Sequence, residues 1–256
     1  MIDTHSHVHD RKFDEDRDAV IARARAAGVT AMVTIGENVE DSREAIAVAQ
    51  RYGIAAAAGI HPHEAKNAPA DIAGELRALA EMLGVIAIGE TGLDYYYDNS
   101  PRERQAEVLR AQLQLARELA LPVIFHQRDA VEDFCAVLRD EWVRGMRGVV
   151  HCFTGTPDEA RVFVDEFDLY LGIGGVLTFP NAHALREAVR AAGAQHLVLE
   201  TDCPYLAPVP MRGKRNEPSF VIHTAAKLSE VLGIRLDEIV ATTDANAAKL
   251  FGISAL

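Results

Sequence analysis

With 256 residues, 49% of them hydrophobic and 25% charged, the chain has the make-up of an ordinary globular protein with enough apolar material for a sizeable core. That composition excludes a disordered segment, a coiled coil and a collagen-like chain. The 26 Lys and Arg against 38 Asp and Glu give a net charge of -12, which disfavours holding long nucleic acid by counterion release alone.

Strands are predicted at Ile2 to His7, Val29 to Ile35, Ile54 to Ile60, Val85 to Ile88, Val123 to His126, Gly148 to His151, Leu169 to Ile173 and Leu197 to Thr201. Amphipathic stretches separate them. The clearest runs from Pro101 to Ala120, with Leu109, Leu113, Ala116 and Ala120 on one face and Ser100-Pro101 as N-cap and first turn. Glu217 to Leu232 and Leu236 to Leu250 read as closing helices. About eight βα units, unbroken by any linker, predict one α/β domain over residues 1–256, a closed (β/α)8 TIM barrel. An open doubly wound sheet is the alternative, disfavoured because no G-x-G-x-x-G or P-loop pattern follows any predicted strand.

No apolar run approaches the roughly 18 residues of a bilayer span, and Met1-Ile2-Asp3-Thr4-His5 has neither a basic nor an apolar leader. Cys135, Cys152 and Cys203 make no disulfide framework and no zinc ribbon. A cytoplasmic monomer with reduced thiols and no membrane partner is expected.

Metal-competent residues fall at the C-terminal ends of the predicted strands, which in a barrel meet at one mouth. His5 and His7 alternate on the first strand and so point to one side. Glu90 follows the fourth strand, His126 and His151 end the fifth and sixth, and Asp202 follows the eighth. Singly, each has an ordinary structural explanation: a hydrogen-bonded rim histidine, a capping carboxylate, an N-cap before Pro204. Four imidazoles and two carboxylates aimed at one mouth would instead be costly to desolvate without a cation. Nitrogen and carboxylate donors without thiolate do not choose among Zn, Mn, Ni, Fe and Mg. Six ligands exceed one tetrahedral site, so two divalent metal ions bridged by a carboxylate, activating a water as nucleophile, are expected. Cys152 and Cys203 adjoin ligands and read as packing thiols.

Arg212, Lys214 and Arg215 form the one basic knot of this acidic chain, in a Gly- and Pro-bounded loop suited to holding a phosphate or simply solvated. Tyr95, Tyr96, Tyr97, Phe153 and Tyr205 follow ligand-bearing strands and either stack nucleobases or pack.

The blocks Asp3-Thr4-His5-Ser6-His7, Gly59-Ile60-His61-Pro62-His63, Gly89-Glu90-Thr91-Gly92-Leu93-Asp94-Tyr95, Leu121 through Ala130, His151-Cys152-Phe153-Thr154-Gly155, Glu200 through Leu206 and Arg212 through Pro218 keep the order and spacing of a known family. With them the sequence resembles, over essentially its whole length, the TatD family of metal-dependent deoxyribonucleases in the amidohydrolase superfamily. Thr91 stands where an apolar residue or Cys is common, and Thr154 where Ser is common; neither changes a ligand type. Glu90 favours this branch over urease-like or dihydroorotase-like ones, which bridge their metals with a carboxylated lysine.

The resemblance implies His5, His7 and Asp202 on one metal, His126 and His151 on the other, and Glu90 bridging. Glu90 and Asp202 would be catalytic, Asp202 orienting or deprotonating the attacking water. Substrate contacts would fall to His61, His63, Asp94, Arg128, Phe153, Tyr205, Arg212, Lys214 and Arg215. The implied activity is 3′-5′ exonuclease action on single-stranded DNA ends or short oligonucleotides. The same chemistry also admits an ester or amide hydrolase, such as a D-aminoacyl-tRNA deacylase. A non-catalytic metal or nucleic-acid binder is disfavoured by the net charge of -12 and by the complete ligand set.

Overall fold

In the computed structural model, residues 1–252 are described. Strands and helices alternate: β1 (Ile2–Ser6), α1 (Arg17–Ala26), β2 (Ala31–Ile35), α2 (Val39–Tyr52), β3 (Ala55–Ala58), α3 (Ile72–Ala80), β4 (Val85–Asp94), α4 (Arg102–Leu119), β5 (Val123–Arg128) and α5 (Val131–Glu141). Then follow β6 (Gly148–Val150), α6 (Pro157–Arg161), β7 (Tyr170–Ile173), α7 (His183–Ala192), β8 (Leu197–Leu199), α8 (Val221–Leu232) and α9 (Leu236–Phe251). Sheet order equals chain order, β1 to β8, which is the signature of repeated βα units.

Every predicted strand overlaps an observed one, but the ends differ where the site lies. β1 stops at Ser6, leaving His7 just beyond it, and β8 stops at Leu199 rather than Thr201. β4 runs on to Asp94 instead of ending at Ile88, so Glu90 sits inside a strand and not after it. The apolar run ends at Ile88, but the strand resumes its pairing with β5 at Thr91 and Gly92, past an irregularity at Gly89 and Glu90.

The described residues group into two compact units. One comprises Met1–Val33 and the described residues from Cys152 onward; the other is Thr34–His151. In the second, β3–β4, β4–β5 and β5–β6 pair in parallel, with Ala56, Ala57, Ile88, Ile124 and Phe125 fully buried. Its helices end as their sequences dictate. Asn38 caps α2 by accepting from the Asp41 N–H, and Gly53, in the left-handed region at φ 64°, closes it.

α4 buries Leu109, Leu113 and Ala116 of the predicted stripe, with Val108 beside them, whereas Ala120 is the exposed C-cap residue at φ 54° that ends the helix. The predicted cap differs: Pro101 holds the N-cap position, and the Ser100 hydroxyl instead accepts from the Lys66 N–H at 3.1 Å and donates to the His63 carbonyl at 2.8 Å. It thereby anchors the turn that carries His61 and His63. Two buried amides on α4 reach the same region. Gln112 accepts from Ile60 N at 2.9 Å and donates to Thr91 Oγ1 at 2.6 Å, while Gln105 accepts from Asp94 N at 2.8 Å and donates to the Ser100 carbonyl at 2.8 Å.

In the first unit β7 and β8 pair in parallel, and the chain beyond β8 continues beside the end of β1: Asp202 N donates to the His5 carbonyl at 2.9 Å and His7 N to the Cys203 carbonyl at 2.7 Å. Buried Asp3 fixes this junction, accepting from Thr201 N at 2.9 Å and Thr201 Oγ1 at 2.6 Å. Burial pushes the Asp3 carboxyl up to about 8 despite those two hydrogen bonds.

Candidate metal centre

The position of Glu90 follows from a bulge. Ile88 lies opposite Val123 and Thr91 opposite Phe125, so Gly89 and Glu90 together face the single residue Ile124. Only glycine permits the approach: a Cβ on Gly89 (φ 144°) would lie 2.6 Å from the Ile124 oxygen, and one on Gly92 (φ 152°) 1.8 Å from that of His126. The extra residue aims the Glu90 carboxylate at three imidazoles. Its Oε1 is 2.9 Å from His126 Nδ1, 3.5 Å from His61 Nε2 and 4.0 Å from His151 Nε2.

The ring nitrogens around it are not equivalent. The His63 N–H donates to His61 Nδ1 at 3.1 Å, so neutral His61 carries its proton on Nε2, the atom facing Glu90. Burial holds the His61 imidazole down at about 4, with the neighbouring His126 and His63 adding to the effect against Glu90. His61 is therefore a neutral N–H donor. His126 faces carboxylates with both nitrogens, Nδ1 toward Glu90 and Nε2 toward Asp94 Oδ2, each at 2.9 Å. Burial works to lower its pKa, but the two carboxylates prevail and raise it.

Asp94, predicted as a substrate contact, is fully buried. Its Oδ2 faces His126 Nε2 and His63 Nε2, each at 2.9 Å, and its Oδ1 accepts from Tyr96 N at 3.0 Å and Tyr97 N at 2.8 Å. Burial alone would push its carboxyl up; the imidazole and N–H partners hold it well below the usual carboxylate range. Two sets in this unit, His61–Glu90–His126 and His63–Asp94–His126, bring three donor atoms within 4.8 Å of one another. Glu90, Asp94, His63 and His126 offer nitrogen and oxygen donors, without thiolate, that fit a hard or borderline divalent cation, whereas His61, with Nδ1 accepting from His63 N, presents an N–H there.

In the first unit His5, His7 and Asp202 come together. His5 Nε2 lies 3.3 Å from His7 Nε2, which is 3.4 Å from Asp202 Oδ1. Asp202 adopts φ 56°, in the left-handed region. Two acidic or basic neighbours were missed by sequence reasoning. Buried Glu200 accepts from Cys152 N at 2.7 Å and fills the space left by Gly172, where a Cβ would sit 2.2 Å from its Oε2. Buried His9 places its ring 5.9 Å from that of His7. The signal for His9 was present, since it continues the alternation of His5 and His7.

The remaining predicted contacts divide. Phe153 is buried against Phe163, and Tyr205, 43% exposed, has the Lys12 ammonium 4.2 Å from its ring centroid. Arg212 rests on the Phe179 ring at 3.9 Å. Lys214 Nζ lies 3.9 Å from Met211 Sδ. Arg215 is committed to Asp16 through bonds of 2.8 and 2.7 Å and to the Lys12 carbonyl at 2.5 Å. The knot is thus not a single cationic surface. Cys203 is buried, and burial pushes its thiol up, consistent with packing.

A (β/α)8 fold with imidazole and carboxylate donors at its strand ends defines the class of metal-dependent hydrolases. The family model described as TatD related DNase matches residues 2–252, and the chain belongs to that family. It is 44% identical over 258 residues to the 3′-5′ ssDNA/RNA exonuclease TatD of Cronobacter sakazakii, covering 98% of this chain and 97% of the relative. It is 40% identical over 255 residues to the uncharacterized metal-dependent hydrolase YabD of Bacillus subtilis, covering 99% and 100% of the two chains. The solved structure of the TatD homolog YJJV from Escherichia coli superposes with a TM-score of 0.93 at 31% identity, covering 99% of this chain and 98% of that one.

Proposed function

We propose that this enzyme removes nucleotides from the 3′ end of single-stranded DNA by metal-dependent phosphodiester hydrolysis. The reading rests on the Glu90 carboxylate facing three imidazoles in a chain of this family, and on the nuclease activity named for the Cronobacter relative. On the family pattern, His5, His7 and Asp202 would hold one divalent ion and His126 and His151 a second, with Glu90 serving both. When bound, such ions supply positive charge at the scissile phosphate and lower the pKa of the attacking water.

The chain's own residues supply the rest. Asp202 Oδ1 accepts the proton of the attacking water, a role open to an ionised carboxylate at a strand end. The His61 Nε2–H donates to the oxygen on which charge develops, which a neutral, fixed imidazole does without reorganising. Asp94 orients His126 and His63. Arg128, Arg212 and Lys214 are the cations that meet substrate phosphates, whereas Arg215 is held by Asp16.

The test is shortening of a 5′-labelled single-stranded oligonucleotide after EDTA treatment and readdition of Mg, Mn or Zn, with Glu90→Ala and Asp202→Ala beside the parent. Stepwise loss from the 3′ end, abolished in EDTA and in both variants, is expected. An intact oligonucleotide with metal restored would overturn the reading.

A further inference from the structure

Of the five aromatic residues near ligand-bearing strands, the structure sets two apart. The Tyr95 hydroxyl donates to Asp133 at 2.8 Å and its ring lies beneath Arg102, while Phe153 is buried. Tyr96 and Tyr97 are 58% and 55% exposed, far more than a tyrosine needs to wet its hydroxyl. They are nonetheless fixed in place. Their backbone N–H groups both donate to Asp94 Oδ1, and the Tyr97 ring stands edge-on to His63 with centroids 5.4 Å apart. The same Asp94 faces His126, so the tyrosine turn and a predicted metal ligand are held by one carboxylate.

The two rings meet at 89° with centroids 4.9 Å apart, and Arg128 lies in the corner they form. Its guanidinium is 4.0 Å from the Tyr96 centroid and 4.8 Å from that of Tyr97. Among the described residues the guanidinium has no ion-pair or hydrogen-bond partner, although carboxylates occupy most other arginines of this acidic chain. The ring contacts preset its orientation and leave its N–H fork for a ligand. An exposed aromatic pair and an oriented, unengaged guanidinium, continuous with the site through His63, match both halves of a nucleotide, a flat base and a phosphate.

We propose that Tyr96, Tyr97 and Arg128 form a nucleotide subsite, in which an unpaired base stacks on the tyrosine pair and its phosphate is taken by the Arg128 fork. The inference rests on the nucleic-acid reading above and extends it. Base stacking requires a nucleotide free of a duplex, so this subsite selects single strands, and it tolerates any base because every base has a π-face.

The experiment measures KM for oligonucleotides with an abasic nucleotide at each of the last few 3′ positions. The metal-loaded parent chain is compared with Tyr96→Ala/Tyr97→Ala and with Tyr96→Phe/Tyr97→Phe. At one position, loss of the base raises KM for the parent roughly 5- to 100-fold and leaves KM of the alanine variant nearly unchanged. The phenylalanine variant behaves as the parent. Arg128→Gln raises KM for every oligonucleotide and flattens the slope of log KM against log salt by about 0.7. Additive effects of base removal and tyrosine removal at every position would overturn the subsite while leaving the nuclease reading intact. Failure of the parent to shorten any oligonucleotide would overturn the nuclease reading, and the subsite with it.

Discussion

His126 Nε2 lies 2.9 Å from Asp94 Oδ2, as close as its Nδ1 lies to Glu90 Oε1. A neutral ring that donates Nε2–H to Asp94 would keep its Nδ1 lone pair, on the side of Glu90, for a cation. Asp94→Asn weakens the acceptor for that Nε2–H. Affinity for divalent cations, measured by calorimetric titration of EDTA-treated protein, is expected to fall about 10- to 100-fold without loss of fold. Unchanged affinity would show that the tautomer is set elsewhere.

Cation binding should also register as stability. A ligand that binds the folded chain at 100 times its Kd adds about 2.7 kcal/mol, which for a chain of this size raises Tm by roughly 5 to 10 °C. The rise should be abolished in Glu90→Ala, since Glu90 Oε1 is the oxygen nearest His126, His61 and His151. A variant that retains the full rise would remove Glu90 from the ligand set.

Gly92 provides a stereochemical test of the β4–β5 approach. Ala at this position meets both φ 152° and the His126 carbonyl at 1.8 Å, so a loss of at least about 3 kcal/mol in urea unfolding is expected. Gly213→Ala, at φ 84° with open space around it, pays only for its backbone angle, about 1 kcal/mol. Equal costs would mean that β5 yields easily.

The loop carrying the basic knot is tied to α1 by ion pairs whose pH dependence has a definite sign. Arg23 Nη2 lies 2.6 Å from Glu217 Oε2. Burial pushes the Glu217 carboxyl up, but the hydrogen bonds from Arg23 and Ser219 outweigh it and its pKa is lowered. A carboxylate lowered in the folded state stabilises it above the ordinary value of about 4.3, and that stabilisation is lost as pH falls through the folded value. Arg23→Gln should therefore lower Tm by about 2 °C at pH 7, with the gap closing below about pH 4. A gap that persists in acid would assign the effect to packing of the Arg23 side chain.

The strands and the candidate donors at their ends were legible because both are local: apolar runs mark strands, and histidines at their ends stand out against them. Ser100 was misjudged because a serine before a proline has the composition of a cap, and only the fold reveals that its hydroxyl serves His63 and Lys66. The β4 bulge was hidden because the apolar run stops at Ile88, and nothing in Gly89-Glu90 shows that the strand continues beyond them. Arg215 looked equivalent to Arg212 and Lys214 until Asp16, nearly 200 positions away in sequence, claimed it. Charge pairing over such separations leaves no local pattern to read.

Gln105 and Gln112 stand seven residues apart on α4, almost two full turns, so both amides leave the helix on one side. α4 thus acts as a template that holds the ends of β3 and β4 at a fixed separation. A chimera importing this helix from another barrel would pack its apolar stripe correctly and still misplace both loops, unless the incoming helix carried the two amides at the same interval.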